Sequence, residues 1–337
     1  MLPVKRSKVA ILGGGSWGTT TASVISRHCE TTLWARDGQI VDEINQAHTN
    51  HRYLGGAALN AKLAATTDIG AAVNQAEAVL IAVPSSHFRE VLASALSDLP
   101  MGIPLISLSK GLEKGSRMRM TEIIHDVAPG RIPGVLTGPN LAREIVAGQA
   151  AASVLALEDH EAALALQPKL NAGLFRVYTN QDVIGCELGG VLKNIIAIAV
   201  GMGDGLGAGD NTRAALITRG LAEMSRLGEA LGGKAETFAG LAGMGDMIAT
   251  CTSPQSRNRH VGMELAKGRS IDDIIDTMHM VAEGVKSAPT VIDLAQEKGI
   301  SLPISEDVYR VIIGESSARG VYRGLLRVTA GAESDPG

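Results

Sequence analysis

The sequence predicts an α/β protein of two domains: a doubly wound sheet built from alternating strands and helices, then an all-α region. Three observations predict it. A short apolar run, Val9 to Leu12, enters a glycine-rich turn that opens a helix. Apolar strand patterns then alternate with helical ones to about residue 180, which is the signature of a doubly wound sheet. Beyond that point apolar residues recur at helical spacing, with little sign of strands. A chain of 337 residues is long enough for two cores. We divide it into residues 1–184, residues 185–330, and a polar, small-residue tail, 331–337, expected to be disordered.

Composition excludes several classes of function. Aromatic residues are 3% of the chain and glycines number 40, which fits an α/β enzyme and not a protein that stacks on nucleic-acid bases. The net charge is −4 and no long basic run occurs, so no nucleic-acid partner is expected. Cys29, Cys186 and Cys251 are widely spaced and form no CxxC, which predicts free thiols in a reducing compartment. The start lacks a secretory apolar segment and no 18-residue apolar run is seen. A cytoplasmic protein without membrane insertion is therefore expected.

Taken in order, the first strand leads into G-x-G-x-x-G, formed by Gly13, Gly15 and Gly18. The first glycine makes a tight turn, the second lets backbone approach a pyrophosphate, and the third lets helix pack on strand. The helix, roughly Trp17 to Arg27, would present free N–H groups to the anion. A second strand, Thr31 to Ala35, ends at Arg36 and Asp37. Asp37 lies 19 residues after Gly18, near the place of a ribose-reading acid. Arg36 suits a 2′-phosphate instead, so the pair leaves NAD and NADP open, with an ordinary charged turn as the third reading. Gln39 to His51 reads as a helix carrying His48 and His51 three apart. No Cys, Asp or Glu completes a metal site there, and a solvated helix end is expected.

Glu77 to Pro84 reads as a buried strand, and Pro84-Ser85-Ser86 would close over a cofactor. Pro104 to Leu108 is the next strand. It delivers Lys110 to the carboxyl end of the sheet, where such folds bind ligands. Gly134 to Thr137 runs into the turn Gly138-Pro139-Asn140-Leu141-Ala142 at the same edge. Ala151 to Leu157 and Phe175 to Tyr178, with a helix between them, complete the sheet.

The second region opens on an apolar helix in which Val191, Leu192, Ile195, Ile196 and Ile198 surround Lys193 and Asn194. An unpaired ammonium is costly in such a setting, so Lys193 either reaches solvent along its own stem or faces a polar cleft. Five glycines between Gly201 and Gly209 read as a loop, and Asn211 to Leu227 as the next helix. Asp246 follows a glycine run and reads as a helix N-cap. Ser256-Arg257-Asn258-Arg259 reads either as a solvated loop or as a phosphate grip, because arginine forks bind phosphate bidentately. Val281 to Pro289 is a turn and helix start, with Glu283 as a candidate cofactor contact.

Five blocks together carry a resemblance. GGGSWGT from Gly13, LSKGLE from Leu108, TGPNLAREI from Thr137, LKNIIAIAVGMGDGLGAGDNTRAALITRGLAEM from Leu192, and FAGLAGMGDMIATCTSPQSRNRHVG from Phe238 resemble the bacterial soluble NAD(P)-dependent sn-glycerol-3-phosphate dehydrogenases, over about residues 8–328. The resemblance implies a Rossmann-type N-terminal domain and an all-α C-terminal domain of the 6-phosphogluconate dehydrogenase C-terminal-like kind. It implies NAD or NADP as cofactor and reversible reduction of dihydroxyacetone phosphate to sn-glycerol 3-phosphate, feeding glycerophospholipid synthesis. It makes Lys193 the general acid/base. It places Lys110, Gly138, Asn140, Asp246, Ser256, Arg257 and Asn258 at the substrate, with Arg257 and Asn258 on the phosphate. It places Gly13, Gly15, Ser16, Trp17, Gly18, Arg36, Tyr53, Lys110, Ala142, Arg257, Val281 and Glu283 at the cofactor.

This chain departs from the family pattern at Asn140, usually Ser, at Leu141, usually Phe, and at Thr20 and Thr21, usually small and apolar. A homodimer is compatible with the apolar helices. Two rival readings differ in what they need. A ketopantoate-type or 2-hydroxyacid reductase would act on a carboxylate and leave a phosphate site unnecessary. A non-catalytic dinucleotide sensor would need no buried lysine.

Overall fold

The computed structural model describes residues 7–278 and 282–325, and the chain splits into two compact units. Residues up to Ser109 and Met118–Val183 form the first; Lys110–Arg117 and the residues from Ile184 onward form the second. The short segment carrying Lys110 thus belongs with the helices, although its sequence neighbours form the sheet. Val281 and the tail 331–337 lie outside the described residues.

The first unit holds one eight-stranded sheet. Its strands are β1 (Lys8–Leu12), β2 (Glu30–Trp34), β3 (Ala64–Thr66), β4 (Ala78–Ile81), β5 (Pro104–Ser107), β6 (Ile132–Thr137), β7 (Ala151–Leu157) and β8 (Phe175–Asn180). They lie in the order β3-β2-β1-β4-β5-β6-β7-β8. The helices of this unit are α1 (Ser16–Ile25), α2 (Gly38–Ala47), α3 (His51–Leu54), α4 (Ile69–Val73), α5 (Phe88–Ala95), α6 (Met120–Val127), α7 (Ala142–Val146) and α8 (His160–Leu170). Side chains of β1 alternate between two core layers: Val9 and Ile11 enter one, Ala10 and Leu12 the other. Both faces are covered, which is why the strand reads as an unbroken apolar run. Strand order reverses between β1 and β4, and such switch points open a crevice at the carboxyl ends.

One pairing breaks the parallel pattern: β6 and β7 run antiparallel. The linking helix α7 has five residues and rises only about 7.5 Å, against about 20 Å for a six-residue strand. The chain does not cross back to the start of β6 but turns and runs along it as β7. The three-residue β3 carries no apolar run and leaves no sequence signal.

Both sheet edges are closed by amide side chains. On β3, Asn45 exchanges two hydrogen bonds of 2.9 Å with the backbone of Ala65. On β8, Asn171 Oδ1 accepts from Val177 N at 2.8 Å, and Gln167 Nε2 donates to Val177 O at 2.7 Å. A further strand cannot add at these residues without displacing those bonds.

The helix expected over Gln39 to His51 is broken. α2 ends at His48, which turns left-handed with φ 52°, and α3 begins at His51. Glu43 causes the reversal, accepting from Thr49 Oγ1 at 2.8 Å and from His51 N at 2.8 Å. His48 and His51 therefore share no helix face. Among the described residues no group of three His, Cys, Asp or Glu is placed to hold a metal.

The second unit comprises α9 (Val183–Gly205), α10 (Asp210–Ala230), α11 (Ala235–Phe238), α12 (Asp246–Thr252), α13 (Arg257–Ala266), α14 (Ile271–Thr277), α15 (Glu283–Lys298), α16 (Pro303–Ile312) and α17 (Ala318–Leu325). α9 overturns the expected loop at Gly201, because the helix runs on to Gly205. The glycines there serve close packing, not turning. A Cβ on Gly201 would overlap the carbonyl of Arg259, and one on Gly262 would overlap the carbonyl of Ile198. Backbone meets backbone where α13 crosses α9. At 23 residues α9 is long enough to span a bilayer, longer than a helix that ends at the expected Gly201 loop. Its most apolar window is 94% buried inside this chain, as the core of the unit.

Candidate active site

The glycine loop has the geometry that a dinucleotide pyrophosphate requires. Gly13 adopts φ +126°, and a Cβ there would meet Ala82 O at 2.5 Å. A Cβ on Gly18 would overlap the carbonyl of Gly13, so α1 packs directly against the loop. Gly15 faces open space within 4 Å. It is the N-cap of α1, and no side chain caps that helix end. The first amides of α1, at Ser16 and Trp17, thus keep their donors for an anion. These residues fit the phosphates of NAD or NADP. Trp17 stands edge-on to Phe175, with ring centroids 6.1 Å apart, and its Nε1 is buried without a hydrogen-bond partner.

At the end of β2 the ribose-reading question acquires geometry. Asp37 caps α2, its Oδ1 accepting from Gln39 N at 3.0 Å. Its Oδ2 accepts from Arg52 Nη1 at 3.2 Å. Both carboxylate oxygens are engaged. Arg36 is exposed, and the Arg52 guanidinium lies 5.6 Å from the ring centroid of Tyr53. The turn therefore offers two guanidinium groups beside an acid already paired with one of them.

Gly138 turns the chain after β6 with φ +133°. Beyond it Asn140 Oδ1 accepts from Ser153 Oγ at 2.5 Å, while Asn140 Nδ2 is buried with no hydrogen-bond partner. A buried orphan donor is costly unless something pairs with it, so Asn140 presents a donor ready for a ligand. Ala142 begins α7, and its carbonyl accepts from Thr20 Oγ1 at 3.3 Å. The threonine that departs from the family pattern thus ties α1 to α7.

In the helical unit Lys193 does not reach for solvent. Its side chain is 8% exposed, and its Nζ donates to Asp246 Oδ1 at 2.8 Å and to Thr250 Oγ1 at 2.6 Å. Lys110 Nζ donates to the other oxygen, Asp246 Oδ2, at 2.5 Å. Asp246 is 2% exposed and is the first residue of α12, directly after a π-type turn, Leu241–Gly245. It caps no helix, contrary to the sequence expectation: two lysines have taken its carboxylate. Burial pushes the Lys110 ammonium down to about 8, with the Lys193 charge adding to that and Asp246 opposing it. Cys251, one of three free thiols, is fully buried nearby, and that burial pushes it up to about 12.

Asn194, next to Lys193, joins three further pieces. Its Nδ2 donates to Gly190 O at 3.1 Å and to Lys110 O at 3.5 Å. Its Oδ1 accepts from Asn258 Nδ2 at 2.8 Å, and Asn258 Oδ1 accepts from Gly284 N at 3.0 Å. Ser256 is the N-cap of α13, accepting from Arg259 N at 3.2 Å. Arg257, in the first turn of α13, keeps surface open to solvent, yet the protein packed around it desolvates the guanidinium and lowers it from its ordinary value, with the Glu283 charge opposing that shift. The segment read as either a loop or a phosphate grip is a capped helix start.

Comparison with known proteins meets this geometry. Residues 8–163 match the family described as NAD-dependent glycerol-3-phosphate dehydrogenase N-terminus, and residues 182–323 match its C-terminus. A Sphingopyxis alaskensis protein named glycerol-3-phosphate dehydrogenase [NAD(P)+] 2 is 62% identical over 98% of this chain and 100% of its own length. The chain belongs to the NAD-dependent glycerol-3-phosphate dehydrogenase family. A Mycobacterium tuberculosis relative is 50% identical over 98% of this chain and 97% of its own. The crystal structure of the glycerol-3-phosphate dehydrogenase from Coxiella burnetii superposes with a TM-score of 0.90 at 37% identity, covering 96% of this chain and 99% of that one.

Sequence reasoning missed four residues of this dehydrogenase's two half-sites. Thr250 was hidden because a hydroxyl one helical turn after Asp246 has no signature until the carboxylate turns inward. Asn194 was noticed only as a neighbour of Lys193. Asn50 is fully buried and staples the glycine loop, donating from Nδ2 to Gly14 O at 3.0 Å and to Thr19 Oγ1 at 2.9 Å. Arg52 sits 15 residues from the acid it pairs with. Only the break between α2 and α3 brings it there.

Proposed function

We propose that this chain reduces dihydroxyacetone phosphate reversibly to sn-glycerol 3-phosphate, with Lys193 as the general acid in reduction and the base in oxidation. The observation that carries the proposal is the triad of side chains in the helical unit: two ammonium groups on one buried carboxylate. Reducing a ketone builds negative charge on oxygen, and the atom must then gain a proton. Asp246 neutralises one of its two lysines and leaves one net positive charge for the developing alkoxide. Lys193 carries the proton, and Asp246 with Thr250 fixes the direction in which its Nζ points. Lys110 adds a second donor on the same carboxylate. When bound, the nicotinamide cofactor supplies the hydride to the carbonyl carbon.

The non-reacting end of the substrate is a phosphate, and Arg257 with Asn258 is the proposed grip. A partly desolvated guanidinium that still reaches solvent at a helix start, beside an amide held from two sides, suits a dianion. Binding there orients the carbonyl. Asn140 Nδ2 is proposed as a further donor. At the adenosine end, Arg36 and Arg52 favour a 2′-phosphate, and the Arg52 ion pair offsets the charge with which Asp37 would repel it. NADPH is therefore the preferred reductant.

The test is oxidation of NADPH and NADH by the purified chain with dihydroxyacetone phosphate and, separately, with ketopantoate. Turnover with the ketose phosphate is expected. Turnover with the carboxylated ketone alone would replace this substrate, and no turnover with either would leave a cofactor sensor.

A further inference from the structure

The first turn of α13 carries Arg257 and Asn258, and the next residue, Arg259, is used differently. Its Nε donates to Asp204 Oδ2 at 2.7 Å, and the Asp204 side chain, near the end of α9, is 6% exposed. The other oxygen, Asp204 Oδ1, accepts from Arg213 Nε at 3.1 Å and Nη2 at 2.9 Å on α10. One buried carboxylate thus joins three helices. The backbone of Arg259 rests on Gly201, where no side chain can intervene. Arg259 N also donates to the N-cap Ser256. A buried carboxylate held by two forked cations is geometrically demanding and sets register more than it adds stability.

We propose that Asp204 is a positioning residue for phosphate recognition. Through Arg259 it fixes the start of α13, and so fixes where Arg257 and Asn258 stand relative to Lys193 and Asn194 on α9. The inference rests on the reading that Arg257 and Asn258 hold the substrate phosphate. Charge alone predicts the opposite sign. Removing Asp204's negative charge would strengthen a phosphate site by Coulomb attraction, whereas loosening α13 would weaken it.

Three variants decide the matter in steady-state kinetics with dihydroxyacetone phosphate at saturating NADPH. Arg259→Gln and Arg213→Gln each remove one cation and one ion pair from Asp204, but only the first releases α13. Arg259→Gln is expected to raise KM about tenfold and leave kcat within about threefold, as for a small misplacement of a binding group. Arg213→Gln is expected to leave KM within about twofold. Asp204→Asn is expected to raise KM despite the added positive charge. If it does not fold, the two glutamine variants, in which Asp204 keeps one arginine, still decide. Equal KM changes in those two would overturn the proposal. So would an unchanged KM in Arg259→Gln while Arg257→Ala raises it. An unchanged KM in Arg257→Ala would instead remove the phosphate reading beneath it.

Discussion

Lys110 and Lys193 are bound to opposite oxygens of one carboxylate, at 2.5 and 2.8 Å. Neither ammonium can shift without changing the field at the other. The sheet-borne strand β5 delivers the first and the core helix α9 holds the second, 83 residues apart in sequence. Four expectations follow from this arrangement and from the residues around it.

The Lys110 ammonium, lowered from 10.5 to about 8, gives a pH dependence with a definite sign. Between those values the unfolded chain binds a proton at this lysine that the folded chain has released. Stability therefore rises with pH across the window, and below about 8 the folded state carries the cost of a desolvated charge. Urea unfolding of the wild type minus Lys110→Met is expected to show that rise between pH 8 and 10.5. A difference that is flat or falls with pH would contradict it. The same titration is expected to weaken the rate of ketone reduction above about pH 8, in a limb that Lys110→Met lacks.

Arg257→Ala is expected to act on substrate affinity. KM for dihydroxyacetone phosphate should rise by about tenfold or more, the scale of one lost charged hydrogen-bonding partner. Competitive inhibition by inorganic phosphate should weaken in parallel. Loss of kcat with KM unchanged would place the phosphate elsewhere.

Cofactor choice is expected to follow the Arg36 and Arg52 pair. Arg52→Ala should lower kcat/KM for NADPH by about tenfold while leaving NADH nearly unchanged, because a 2′-hydroxyl makes no use of a second cation. Parallel losses with both cofactors would show that Arg52 serves the fold alone.

Gly201→Ala tests the helix crossing. Alanine normally stabilises a helix interior by about 1 kcal/mol relative to glycine. Here the added Cβ would overlap the Arg259 carbonyl, so a net loss of about 1–3 kcal/mol is expected from urea titration. A gain would mean that α13 can move away at no cost.

Much of this was legible in the chain itself, for reasons that differ by residue. Gly13, Gly15 and Gly18 were readable because their roles are local: each is fixed by a turn, a gap or a close contact within a few residues. The buried strands were readable because both their faces are covered. Lys193 was readable because a lysine among isoleucines demands a partner. The partner was not readable. Asp246 lies 53 residues away on a helix start, where a cap is the commoner role. Gly201 and Gly205 misled because glycine signals a loop and a close helix crossing with the same letter. Residues 110–117 belong to the helical unit, where Leu112 joins the core, Lys110 pairs with Asp246 and Arg117 with Glu297, long-range contacts that no local pattern records.

The central claim is that Lys193 moves the proton, and kcat of a folded Lys193→Ala enzyme tests it most directly, with dihydroxyacetone phosphate and NADPH both saturating. The expected result is a loss of roughly 10²–10⁴ in kcat with NADPH affinity retained. Turnover within a factor of about five of the wild type would contradict it.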